Sequence, residues 1–153
     1  MRIVLAGDHS SPELKAFIAA HLVAAGHQVD DLGTDSTQST DYPLWGAAAA
    51  AKVVSGAAEL GIIICGTGVG IGIAANKIHG IRCVICSEPF SAKMAREHNN
   101  ANMLALGARV VGPELALMIV DTFIESSFVG GERHTRRVEE IIELDDGREL
   151  PLP

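Results

Sequence analysis

The sequence is short of cysteine, of positive charge and of long apolar runs, and each shortage closes off a class of protein. Three cysteines in 153 residues give no framework of the kind that staples small secreted domains, so reduced thiols are expected. Lys and Arg number 12 against 19 Asp and Glu, a formal net charge of −7. The chain therefore has no general basic field for nucleic acid or an anionic membrane surface. A small anionic ligand stays open to it, because a few clustered arginines serve such a ligand whatever the total charge. No apolar stretch approaches the length of a membrane span, and "MRIVLAGDHSSPELK" reaches charge and proline too soon for a secretory signal. The expectation is a cytoplasmic protein with no membrane or nucleic-acid partner. Two cofactor cradles are missing as well: no three glycines have the G-x-G-x-x-G spacing, and no G-x-x-x-x-G-K-[ST] occurs.

What is present reads as one domain over residues 1–153, with 48% hydrophobic residues to build a core. Short apolar runs at 2–7, 28–33, 61–66, 81–86 and 103–107 are strand candidates. Between them lie alanine-rich stretches with helical spacing: 12–26 with Ser11 as N-cap, 42–56, 70–78, a helix opened by Ser87 before Pro89, and one starting at Pro113. Strand alternating with helix predicts an α/β fold, a parallel sheet covered on both faces, with ligands bound beyond the carboxyl ends of the strands. From about residue 127 the pattern changes to a charged C-terminal helix with an apolar seam of Val138, Ile141, Ile142 and Leu144, then a loose tail.

Several residues at those strand ends can carry chemistry. Asp8 and His9 follow the first strand, either as functional groups or as partners for loop amides. Cys65 ends the third strand and opens "CGTGVGIG". These glycines bare successive backbone N–H groups at a helix start, a concavity for an anion or a developing oxyanion, or they merely let helix and strand pack closely. Cys65 at its mouth is a candidate nucleophile or base. Cys83 and Cys86 form C-x-x-C inside a strand, where residues three apart face opposite ways, so both read as core thiols. His21, His27 and His79 read as surface or structural residues. His98 with Asn99 closes a helix and suits either proton transfer or a capping role. Arg109 follows the fifth strand, which is expected near a sheet edge. Arg133 and Arg137, four apart, share a helical face beside His134 while Arg136 turns away, forming a phosphate cradle or a solvated charge run.

Taken together, "GDH" at 7–9, "TDYP" at 40–43, "ICGTGVGIGIAANK" at 64–77, "CSEPFSA" at 86–92, "EHNNANMLALGARVVG" at 97–112 and "RHTRRVEEI" at 133–141 resemble the ribose-5-phosphate isomerase B family and its sugar-phosphate isomerase relatives. The resemblance implies a Rossmann-like α/β/α domain, a homodimer that in some members pairs into a tetramer, and aldose–ketose isomerisation of a phosphorylated sugar without metal or cofactor. It implies that Cys65 is the base moving a proton through an enediolate, with Thr67 near the reacting oxygens and the amides of Gly66, Gly68, Val69 and Gly70 around the charge. Asp8 and His98 match the ring-opening pair, His98 coming from the partner subunit. His9, Tyr42 and Asn99 match sugar-contacting positions, and Arg109, Arg133, His134 and Arg137 the phosphate-binding set. Ribose 5-phosphate is the first expected substrate; a tetrose 4-phosphate, allose 6-phosphate or galactose 6-phosphate is the alternative, and a non-catalytic sugar-phosphate binding module the competing class.

Overall fold

A computed structural model describes residues 1–151 of the chain. Five strands and six helices alternate: β1 (Arg2–Gly7), α1 (Pro12–Ala24), β2 (Gln28–Asp31), α2 (Tyr42–Val54), β3 (Leu60–Cys65), α3 (Val69–Ala75), β4 (Cys83–Ile85), α4 (Pro89–Asn99), β5 (Met103–Gly107), α5 (Pro113–Glu125) and α6 (Gly131–Asp145). The strands form one parallel sheet in the order β2-β1-β3-β5-β4, so the expected Rossmann-like α/β sandwich is the fold. β5, which Arg109 follows, pairs with both β3 and β4 and so lies one strand in from the edge at β4.

The central strands are apolar without interruption because both of their faces are covered. Ile3, Leu5, Ile62, Ile64, Leu104 and Leu106 pack with α1, α4 and α5 residues such as Ile18, Ala92 and Phe123. Their alternates Val4, Ala6, Ile63, Cys65, Met103 and Ala105 pack with Ala49 and Ala50 of α2 and Ile71 of α3. Period-two alternation thus puts Cys65 on the α2/α3 side. One N-cap differs from expectation: that of α4 is Glu88, whose carboxylate accepts from the Ser91 amide at 2.8 Å, and not Ser87. Pro89 at the first helical position sets the residue before it in extended backbone, which makes Glu88 the cap.

The C-terminal helix is the least buried of the six helices. Val138 is its one buried residue, and Ile141, Ile142 and Leu144 remain 39%, 41% and 56% exposed. It is attached at both ends: the Val129 amide just before it donates to the Glu97 carbonyl at 3.1 Å, Asp145 accepts from the Gly80 amide at 2.6 Å, and His79 meets Asp146 at 2.7 Å. Glu97 lies in the last turn of α4 and Gly80 precedes β4, so both anchors lie at the amino end of the sheet.

Candidate active site

Parallel pairing brings the carboxyl ends of β1, β3 and β5 side by side, and the ladder runs past the strands themselves. Gly7 pairs with Ile64 and Cys65 with Gly107. Beyond them the Asp8 amide donates to the Ile64 carbonyl at 3.1 Å, Ala108 to Cys65 at 2.8 Å and Arg109 to Gly66 at 3.0 Å. Asp8 and Cys65 are consequently neighbours, each only 4% exposed. The amide of Gly68 donates to Cys65 Sγ at 3.2 Å, so in this loop that N–H is directed at the thiol.

That contact needs a backbone only glycine supplies cheaply. Gly68 has φ +79°, and a Cβ there would sit 2.9 Å from the Leu106 carbonyl carbon. Gly107 makes the reciprocal approach to Thr67, whose hydroxyl accepts from the Val69 amide at 3.4 Å. Gly70 lies under the Tyr42 ring, where a Cβ would meet ring carbons at 2.6 Å. A Cβ on Gly66 would be 3.7 Å from both the Arg109 side chain and Ser10 Oγ. Asp8, Cys65, Gly66, Thr67, Val69, Gly70, Tyr42 and Arg109 therefore surround one mouth at the carboxyl end.

Two side chains organise the acid at this mouth. Ser10 donates to Asp8 Oδ1 twice, from its amide at 2.9 Å and its hydroxyl at 2.5 Å, leaving Oδ2 for another partner. Ser10 was not among the expected site residues; its signal was the Asp-x-Ser spacing, an Asx-turn in which a carboxylate meets the backbone two residues on. His9 Nδ1 accepts from the Thr40 amide at 3.2 Å, which puts its ring proton on Nε2. The 3.9 Å approach of that same nitrogen to Asp8 Oδ2 is then no ion pair, since Nδ1 carries no proton to share.

The remaining expected residues lie elsewhere. His98 ends α4 and stacks on His134 of α6, ring centroids 4.2 Å apart and 7° from parallel. Arg133 Nη2 donates to His134 Nε2 at 3.2 Å. Partial desolvation, followed by the electrostatic influence of His98, Arg133 and Arg137, lowers the His134 pKa, so the ring resists protonation. The turn after His98 is rigid: Asn100, not Asn99, caps the helix in the left-handed region at φ 48°. Arg82 Nε donates to its carbonyl at 3.0 Å, and Arg96 reaches the carbonyls of Ala101 and Ser126. Asn99 is exposed and borders a groove of about 520 Å³ with Arg82, Ile142 and Asp145.

This cluster is at the wrong end of the sheet to meet Cys65. Helix α4 starts beyond the carboxyl end of β4 and its 11 residues carry the chain back about 16 Å to the amino end. The expected set is thus divided within one chain: Asp8, His9, Tyr42, the glycine loop and Arg109 at one end, His98, Asn99, Arg133, His134 and Arg137 at the other. Cys83 and Cys86 do no chemistry visible here. They pack in the cores on opposite faces of the sheet, and burial foremost pushes their thiols up to about 12 and about 11.

A family model described as Ribose/Galactose Isomerase matches residues 3–141. The chain belongs to the ribose/galactose isomerase family. Ribose-5-phosphate isomerase B of Escherichia coli is 51% identical over 147 residues, 96% of this chain and 98% of that protein. Galactose-6-phosphate isomerase subunit LacB of Clostridium acetobutylicum is 41% identical over 97% of this chain and 87% of its own. Among solved structures, ribose-5-phosphate isomerase B of Clostridium thermocellum superposes with a TM-score of 0.94 at 50% identity, covering 96% of this chain and 99% of that one. The Mycoplasma genitalium enzyme with bound ribulose-5-phosphate gives 0.90 at 39% identity over 95% and 96%. The family is one of isomerases, and the fold and enzyme class expected from the sequence both hold.

Proposed function

We propose that the chain interconverts ribose 5-phosphate and ribulose 5-phosphate in the cytoplasm, through an enediolate, with Cys65 as the base. The observation that carries this reading is the pairing of Cys65 Sγ, held by the Gly68 amide, with Asp8 beside it in the extended ladder. Asp8, its Oδ1 occupied by Ser10, uses Oδ2 in opening the furanose ring, which exposes the carbonyl that acidifies the C2 proton. Cys65 as thiolate moves that proton between C2 and C1, a task for which a positioned base supplies about 10²–10⁴-fold. Thr67 and the free amides of the loop face the oxygen on which charge develops, so they act on the transition state more than on bound substrate.

The phosphate is received by Arg109 together with Arg133, His134 and Arg137. Because those last three and His98 sit at the far end of their own sheet, the complete site in this reading is made by two copies, each lending its amino-end cluster to the other's Cys65 mouth. The chain is then a homodimer. A second reading, an isomerase of another phosphorylated sugar, is favoured by the relative named for galactose 6-phosphate. Measuring kcat/KM over ribose 5-phosphate, allose 6-phosphate, galactose 6-phosphate and a tetrose 4-phosphate separates the two. Ribose 5-phosphate is expected to lead, and a clear lead by any other sugar replaces the first reading with the second.

A further inference from the structure

Lys15 is a charged residue that none of this chemistry uses, yet it is 1% exposed. An ammonium group is taken out of water at such a position only when it is paired and hydrogen-bonded. Its Nζ donates to Asp31 Oδ2 at 2.5 Å and to Asp35 Oδ1 at 2.9 Å. Desolvation pulls its pKa down, but the bonds to the two carboxylates outweigh it and leave the pKa above the ordinary lysine value. Asp31 is the last residue of β2, and Asp35 lies in the segment that leads from β2 to α2.

That segment is tied at two places. At its near end the Leu32 amide donates to the Leu5 carbonyl at 2.8 Å and Thr34 to Gly7 at 3.1 Å. Gly33 comes so close that a Cβ on it would lie 2.5 Å from the Gly7 nitrogen and 2.7 Å from Lys15 Cδ. At its far end the Thr40 amide donates to His9 Nδ1 at 3.2 Å, and Thr40 Oγ1 accepts from Trp45 Nε1 at 3.1 Å. Tyr42 follows immediately and lies across Gly70. Between the ties lie the Lys15–Asp35 bond and two short local turns, Ser36 to Thr34 and Gln38 to Ser36.

We infer that Lys15 is a positioning residue: by clamping Asp31 and Asp35 it sets the strap of residues 32–41 so that Thr40 orients His9 and Tyr42 covers Gly70 at the mouth of the site. The inference rests on the reading of that mouth as the sugar site, and the test keeps the two apart. Trp45 is the single tryptophan of the chain and hydrogen-bonds the far tie, so its fluorescence reports the strap without any assay of turnover.

Lys15→Met retains the buried stem and removes the charge. Relative to wild type it is expected to hold its Tm within a few degrees, to raise acrylamide quenching of Trp45 about twofold, and to raise KM about fivefold with kcat nearly unchanged, the split expected when binding geometry and not chemistry is lost. Lys15→Arg, which keeps a cation in reach of both carboxylates, is expected to restore quenching and KM. A folded Lys15→Met with wild-type Trp45 quenching and wild-type KM overturns the inference. Should Lys15→Met not fold, Asp31→Asn loosens the same clamp while leaving Asp35 to pair the lysine, and unchanged quenching there overturns it equally. A wild type inactive on every sugar phosphate defeats the functional reading alone, because Trp45 quenching still decides whether Lys15 holds the strap.

Discussion

The two ends of the sheet are built on different principles. At the carboxyl end Asp8 and Cys65 are each 4% exposed and placed by the hydrogen-bond ladder of three adjacent strands. At the amino end Arg133 and Arg137 are exposed, on a helix with a single buried residue and hydrogen-bonded anchors at its two ends. Proton transfer needs atoms held closely and water kept away, which interior strands provide. A phosphate needs reach and positive charge, which an exposed arginine face provides. In the proposed reading chemistry belongs to one end and remote binding energy to the other, and each assignment can be broken separately.

The largest effect is expected at the buried end. Cys65→Ser should lose at least about 10²-fold in kcat while still binding the sugar phosphate. Mixing that variant with an inactive His98→Ala should restore up to about a quarter of wild-type turnover, since half of randomly paired dimers carry one intact site of two. No recovery after proven subunit exchange would mean that the two ends never meet across an interface, and full turnover in Cys65→Ser would remove the thiol from the reaction. Next in size is the exposed end: Arg137→Ala should raise KM on the order of tenfold and leave kcat within about twofold, and an unchanged KM would take phosphate binding away from α6.

The smallest effect concerns the anchoring of α6. The hydrogen bond that His79 donates to Asp146, followed by the charge of Asp145, raises the His79 pKa. A raised folded-state value means that the stabilisation is fully present below the ordinary histidine pKa of about 6.5 and is lost as pH rises through the folded value. Amide exchange along α6, corrected for its intrinsic pH dependence, should therefore speed up modestly above that range, and His79→Gln should abolish the step. A pH step that survives the substitution would assign it to another group, with His134 the first to test because its pKa is displaced the opposite way.

Much of the fold was legible because its signals are local. Buried parallel strands betray themselves as unbroken apolar runs, and prolines after Ser11, Glu88 and Gly112 mark helix starts. The boundaries of β2 and β4 were drawn too long, at 28–33 and 81–86, because apolar residues that leave a strand still pack: Leu32 keeps a ladder bond to Leu5, and Cys86 joins the core beyond the end of β4. The insertion of β5 between β3 and β4 leaves no local trace. Nor is there a local trace of the Ser10 contact with Asp8 beyond its spacing, of the His98–His134 stack 36 positions apart in sequence, or of the burial of Lys15.

What the sequence determined by itself is the set of parts: a parallel α/β domain, a thiol followed by bare backbone, an acid after the first strand, and an arginine pair four apart. These follow from periodicity and from the chemistry of single side chains, which neighbours in the chain suffice to express. What only the tertiary structure decided is the partition of those parts between the two ends of one sheet. A helix of eleven residues reverses the chain across the full height of the strands, so His98 and Asn99 at its end are carried away from the mouth that β1, β3 and β5 share.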